Sequence, residues 1–216
     1  MVNDKWGFMR GLISLLINAL LQVLNLPLAQ AQTCLHTKLS NQYNFETKIK
    51  WLRHPDYYDT AFITVRIIDK DNNKVVQKIH FQAGYLLSNE FVDCKSERSY
   101  TTKWQTKGQI VDNDYGDLVV ADLNFDSLED LAIKFRSGGN NSPKYAFYIQ
   151  NKQGHFVRDS FLTNKMWYFP EKIIKSKRTL VTCVPVNARK MAVHTYRLSA
   201  KTNWWKRISH WLEGRR

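Results

Sequence analysis

Cysteine is scarce in this chain: 216 residues contain only Cys34, Cys94 and Cys183. No two of them stand at the short spacing of a zinc-ligand pair, which argues against a structural zinc site. An odd count leaves one thiol unpaired or intermolecular, and spacing does not choose among the three pairings. Acids are also few, 19 against 32 Lys and Arg, for a formal net charge of +13. Such a surface is drawn to anionic partners, although the charge is spread along the chain rather than collected in one block. Beyond Ala29 there is no apolar run long enough to span a bilayer as a helix. H-E-x-x-H, G-x-S-x-G and phosphate-loop motifs are missing, and the six histidines are scattered. These absences remove the common signatures of hydrolases and nucleotide-binding enzymes, and the chain reads as non-enzymatic.

One long apolar run is present, at the start. Lys5 and Arg10 flank "GLISLLINALLQVLNLPLA", Gly11–Ala29, and Ala29-Gln30-Ala31 is a small-x-small cleavage site. Residues 1–31 therefore read as a secretory signal peptide rather than a membrane anchor, with Pro27 and the A-Q-A end favouring cleavage. The mature chain is then 32–216, the size of a single domain, exported to the periplasm or beyond. Its net charge is one unit below +13. The anionic partners available there are lipopolysaccharide, wall polymer or an acidic protein, and nucleic acid is not expected.

The mature region reads as short strands. "TAFITVRIID" (60–69) and "VVQKIHF" (75–81) flank the turn "KDNNK" and form a hairpin. "GDLVVADL" (116–123), "DLAIKF" (130–135), "KYAFYIQN" (144–151), "HFVRDSF" (155–161), "TLVTCVPV" (179–186) and "AVHTYRLS" (192–199) continue the pattern. Turn signals every eight to twelve residues predict a compact antiparallel all-β domain. "WWKRISHWL" (204–212) fits a helix or a strand, and the "KTN" turn before it favours a closing hairpin.

Acids gather in one place despite their scarcity. In "ADLNFDSLEDLAIKF" (121–135), Asp122, Asn124 and Asp126 stand at positions 1, 3 and 5 of a loop; Leu128 offers its carbonyl at 7 and Asp130 stands at 9. Alternate positions turn inward in a tight loop, and Ca²⁺ takes about six to eight oxygen ligands. Position 12, where an EF-hand has its Glu, is Ile133, and an alternating strand follows. The reading is a strand–loop–strand calcium site, against the plainer one of an Asp/Asn-rich hairpin turn. Acids converging on one point suit a cation better than the separated carboxylate pair of a glycosidase. Ser127 stands where such loops favour Gly for its positive φ, at a cost of about 1 kcal/mol.

The run "GDLVVADLNFDSLEDLAIKFRSGGNNSPKYAFYIQNKQGHFV" resembles the calcium loop of FG-GAP/VCBS repeats, as in integrin-α propellers. More closely, it resembles a family of exported bacterial proteins that includes periplasmic immunity proteins against peptidoglycan-hydrolase effectors. The resemblance covers about residues 98–210 and is specific at 115–150. It implies a propeller-like all-β fold, one structural Ca²⁺ on Asp122, Asn124, Asp126, Leu128 and Asp130, and binding or inhibition of a cell-wall hydrolase. It also points to the Gly-rich loop "SGGNNSPKY": Ser137, Gly138, Gly139, Asn140, Asn141 and Tyr145 are the expected partner-binding residues. The alternative function is a basic and aromatic envelope-binding module, centred on 201–216, for anionic wall polymer or lipopolysaccharide.

Overall fold

The computed structural model describes residues 33–52, 58–92, 94–106, 108–138 and 142–214. The expected signal peptide, 1–31, lies outside the described residues. So do Gly139, Asn140 and Asn141 of the expected partner loop.

Among the described residues thirteen strands form three sheets. The first holds β1 (Thr33–His36), β2 (Tyr43–Trp51), β3 (Tyr58–Asp69) and β4 (Val75–Leu87), all antiparallel and in chain order. The second holds β5 (Glu97–Ser99), β6 (Leu118–Ala121), β7 (Asp130–Arg136), β8 (Lys144–Gln150) and β9 (Phe156–Arg158). β5 runs parallel to β6, and the remaining pairs are antiparallel. The third holds β10 (Lys172–Ile174), β11 (Thr179–Asn187), β12 (Lys190–Leu198) and β13 (Trp205–Gly214). Residues 205–214 are thus a strand, as the preceding turn suggests. The all-β antiparallel expectation is met. Among the described residues the sheets close into neither a barrel nor a propeller ring.

Two cores explain the stacking. In the first sheet Phe45, Ile49, Ile63, Val65 and Ile67 turn inward, and they cluster with Leu118, Val120, Leu131 and Ile133 of the second. The alternate residues of the second sheet, Val119, Ala121, Ala132 and Phe147, cluster instead with Leu180, Tyr196 and Leu198 of the third. The second sheet is therefore covered on both faces. A strand buried on both faces needs a continuous apolar run rather than alternation, which is why "LVVA" is buried at every position. The alternation expected of 130–135 is corrected accordingly: Ala132 and Lys134 are as buried as Leu131 and Ile133. The segment 155–161 is strand only at 156–158. A single π-helical turn, Leu162–Met166, then seals the second core with Leu162 and Met166.

Cys34 and Cys94 form a disulfide, Cα–Cα 5.2 Å, and leave Cys183 as the free thiol. The bond ties β1 to the segment before β5 across 60 residues. A loop of that length contributes about 4 kcal/mol by restricting the unfolded chain.

Candidate functional site

The loop between β6 and β7 sits where two paired strands part, Ala121 opposite Asp130. Its side chains fold back on its own backbone. Asp126 N–H donates to Asp122 Oδ1 (3.0 Å) and Asn124 Oδ1 (3.1 Å), and Ser127 N–H donates to Asp122 Oδ2 (3.2 Å). Leu128 N–H donates to Asp126 Oδ1 (2.8 Å), while Asn124 Nδ2 donates to Asp126 Oδ2 (2.8 Å). Two residues take positive φ to make this possible, Phe125 at 65° and Ser127 at 72°. Ser127 thus adopts the left-handed conformation that favours Gly. Asp122, Asn124 and Asp126 are brought together as the spacing predicts.

Asp130 is placed differently. It is fully buried; Oδ2 accepts from Leu123 N–H (2.7 Å) and Asn124 N–H (3.2 Å), and Oδ1 from Gln150 N–H (2.9 Å). It clamps both ends of the loop to the sheet. Burial pushes its carboxyl up to about 8, the negative charge of Asp126 adds to that, and the three backbone donors pull the other way.

Three residues at this site escaped the sequence reading. Glu129, next to Asp130, accepts from Thr101 Oγ1 (2.9 Å), Asn41 N–H (3.3 Å) and Ser40 Oγ, tying the loop to the β1–β2 connection. Lys175 reaches in from the turn after β10, its Nζ 3.1 Å from Asp122 Oδ2 and 3.0 Å from Ser127 Oγ. Its side chain is 64% exposed. Arg178 Nη2 donates to Asn124 O at 3.4 Å. None stands at a loop-ligand position, so spacing gave no signal for them.

The donor set fits a hard cation in part. Asp122, Asn124 and Asp126 supply carboxylate and amide oxygens from one short loop, the chemistry Ca²⁺ prefers. A cationic ammonium already rests on two of the loop's oxygens. Asp130 fits less well, being fully buried with both oxygens directed at the backbone amides of Leu123, Asn124 and Gln150.

The Gly-rich loop is also partly inside. Tyr145 is fully buried; its hydroxyl donates to Gly116 O (3.0 Å) and accepts from Tyr115 N–H (3.1 Å). Ser137 is buried, with Oγ donating to Glu90 and accepting from Leu87 N–H (3.0 Å). Neither side chain is free to touch a partner, which corrects the expectation for these two. Gly138 has a steric role: a Cβ there would lie 2.2 Å from the backbone carbon of Ser142.

Behind this loop lies a second lysine–carboxylate cluster. Lys134 is fully buried, with Nζ 2.9 Å from Glu90 Oε1, 2.9 Å from Asp117 Oδ1 and 3.0 Å from Asp114 Oδ1. The three carboxylates hold the ammonium well above its ordinary pKa against the opposing effect of burial. Burial raises Asp117, and Lys134 and Phe91 N–H, 2.8 Å from Oδ2, pull it back.

The fold and this site define a disulfide-bonded, three-sheet all-β protein with an Asp/Asn-rich loop between neighbouring strands. No protein-family model matches the chain, and no curated protein matches it. A solved chain described as a Xanthomonas type IV secretion system related protein is similar over 84% of this chain and 87% of its own. The TM-score is 0.49 and the identity 16%. No helix among the described residues is long and apolar enough to cross a membrane.

Proposed function

We propose that this is an exported, non-enzymatic protein whose 122–130 loop takes one Ca²⁺ and whose role is to bind, and inhibit, a cell-wall hydrolase. The observation that carries the calcium part is the convergence of Asp122, Asn124 and Asp126 around positive-φ Phe125 and Ser127. Asp122, Asn124, Asp126 and the Leu128 carbonyl would hold the ion. Asp130 would keep the loop closed from inside. The Cys34–Cys94 disulfide supports export, since such bonds persist in oxidising compartments.

The hydrolase part rests on the sequence resemblance. With Ser137, Ser142 and Tyr145 buried, a contact surface near this loop would use, among the described residues, half-buried Gly138 and Lys144. Lys144, half-buried beside it, stacks its ammonium 4.1 Å over the Trp167 ring. The test is capture from periplasmic extract and culture fluid on the immobilised protein, with calcium and with chelator, read by wall-hydrolysis zymogram. Calcium-dependent retention of a wall-hydrolysing activity is expected. Equal or absent retention in both conditions overturns the reading.

A further inference from the structure

The outer face of the first sheet carries a basic groove that the calcium loop does not involve. Because side chains alternate along a strand, the residues between the inward Phe45, Thr47 and Ile49 point out together: Glu46, Lys48 and Lys50. Pairing sets beside them Phe62, Thr64 and Arg66 of β3, then Lys78 and His80 of β4. Lys50 lies opposite Phe62; Lys48 opposite Thr64, itself opposite His80; Arg66 between Glu46 and Lys78. These side chains line a shallow groove of about 750 Å³.

The charges in this groove are unevenly spent. Arg66 Nη1 pairs with Glu46 Oε1 at 2.6 Å, the one carboxylate among the described residues that line the groove. Among the described residues no ion pair engages Lys48, Lys50 or Lys78. Same-face neighbours stand roughly 7 Å apart along a strand and about 5 Å apart across strands, so Lys48, Lys50 and Lys78 span roughly 10 Å across the sheet and roughly 13 Å along it. Beside them Phe62 and His80 stack at 5.2 Å with 14° between planes, and Thr64 and His80 Nδ1 are hydrogen-bonded at 2.8 Å. That pair offers a flat apolar surface fixed at one end of a cationic row.

We propose that this groove binds an anionic sugar polymer, the lysines meeting its acid groups and the Phe62–His80 pair stacking on a sugar ring. Charge complementarity selects the anion, and the aromatic pair selects a ligand with a flat, partly apolar face. A lipid surface is disfavoured because Phe62 is half-buried and no apolar side chain of the groove protrudes to insert. Nucleic acid offers charge and stacking too, but the disulfide favours an oxidising compartment, where nucleic acid is scarce. The site also differs from the one the sequence suggested at 201–216. There Trp211 and Glu213 share a groove with Asp112 and Glu171, so the rim is acidic, and the apolar residues of β13 are not gathered on one face.

The site is independent of the calcium and hydrolase reading, and its test contains neither. The purified protein, in chelator and low salt, is titrated with a galacturonic acid hexamer, with neutral maltohexaose and with a twelve-residue oligothymidylate. The galacturonate is expected to bind at least tenfold tighter than either other probe. Lys48→Glu with Lys50→Glu should weaken it at least tenfold and Phe62→Ala at least threefold, while Lys190→Glu with Lys206→Glu on the third sheet leaves it within twofold. Circular dichroism melting identifies any variant that fails to fold, in which case Lys78→Glu replaces it. The proposal is overturned by equal loss in the third-sheet variant, by no loss in Phe62→Ala, or by oligothymidylate or maltohexaose binding as tightly.

Discussion

Lys134 and Lys175 both meet carboxylates, and they do opposite things. Lys134 is fully buried between Glu90 and the nearby pair Asp114 and Asp117, acids from two segments distant in sequence. Lys175 is exposed and touches Asp122 at the rim of a loop whose acids are neighbours in sequence. Water decides the difference. Removing one member of a buried cluster leaves charges without solvent or partner, whereas an exposed pair contributes little and exchanges easily. The buried lysine is an architectural part, and the exposed one is the kind of contact that a bound cation would displace at little cost.

The largest effect separating the two should come from Lys134→Met. Urea denaturation is expected to show a loss of about 3–5 kcal/mol at neutral pH; a loss under about 1 kcal/mol would remove the contrast. The pH dependence follows from Asp117. Its folded pKa is already raised by burial and rises further without Lys134. The folded state then holds a proton the unfolded state has released, so the variant's stability is greatest at low pH and falls as pH rises through that folded value. A variant equally impaired at pH 4 and pH 8 would contradict this.

Asp126→Ala comes next. Without calcium it removes the acceptor for Leu128 N–H and Asn124 Nδ2, at about 1 kcal/mol. With calcium it should abolish the rise in melting temperature that the proposed site predicts for the unmodified protein. Lys175→Ala should be smallest, about 0–1 kcal/mol in chelator, yet it should tighten calcium binding roughly two- to fivefold, the same free energy read as affinity.

A further check probes the third sheet. Burial, the charges of Glu171 and Glu213, and a thiol hydrogen bond to Glu213 push Cys183 up to about 11. The thiolate is the nucleophile, so iodoacetamide labelling should be slow at pH 8 and quicken about tenfold per pH unit toward 11. Rapid labelling at pH 8 would show that those acids do not face it.

The same contrast explains what the sequence made legible. Asp122, Asn124 and Asp126 were readable because their spacing is local, and hairpins such as β3–β4 were readable because alternation and a turn sit side by side. The first sheet's β1 and β2 were not picked out, nor were β5 and β10, each three residues long. Lys134 was hidden because its strand is buried on both faces, so a lysine there looked like the solvent side of an alternating strand. Tyr145 and Ser137 looked like a protruding loop because nothing local records that Gly116, Leu87 and Glu90 enclose them. The disulfide pairing was open for the same reason: Cys34 and Cys94 meet through the tertiary fold.

The most direct measurement is a calorimetric calcium titration of the unmodified protein beside Lys175→Ala. The account predicts one Ca²⁺ per chain in both, bound two- to fivefold more tightly in the variant. No binding in either protein, or equal affinity in both, would contradict the claim that an exposed lysine occupies a calcium loop as a replaceable cation.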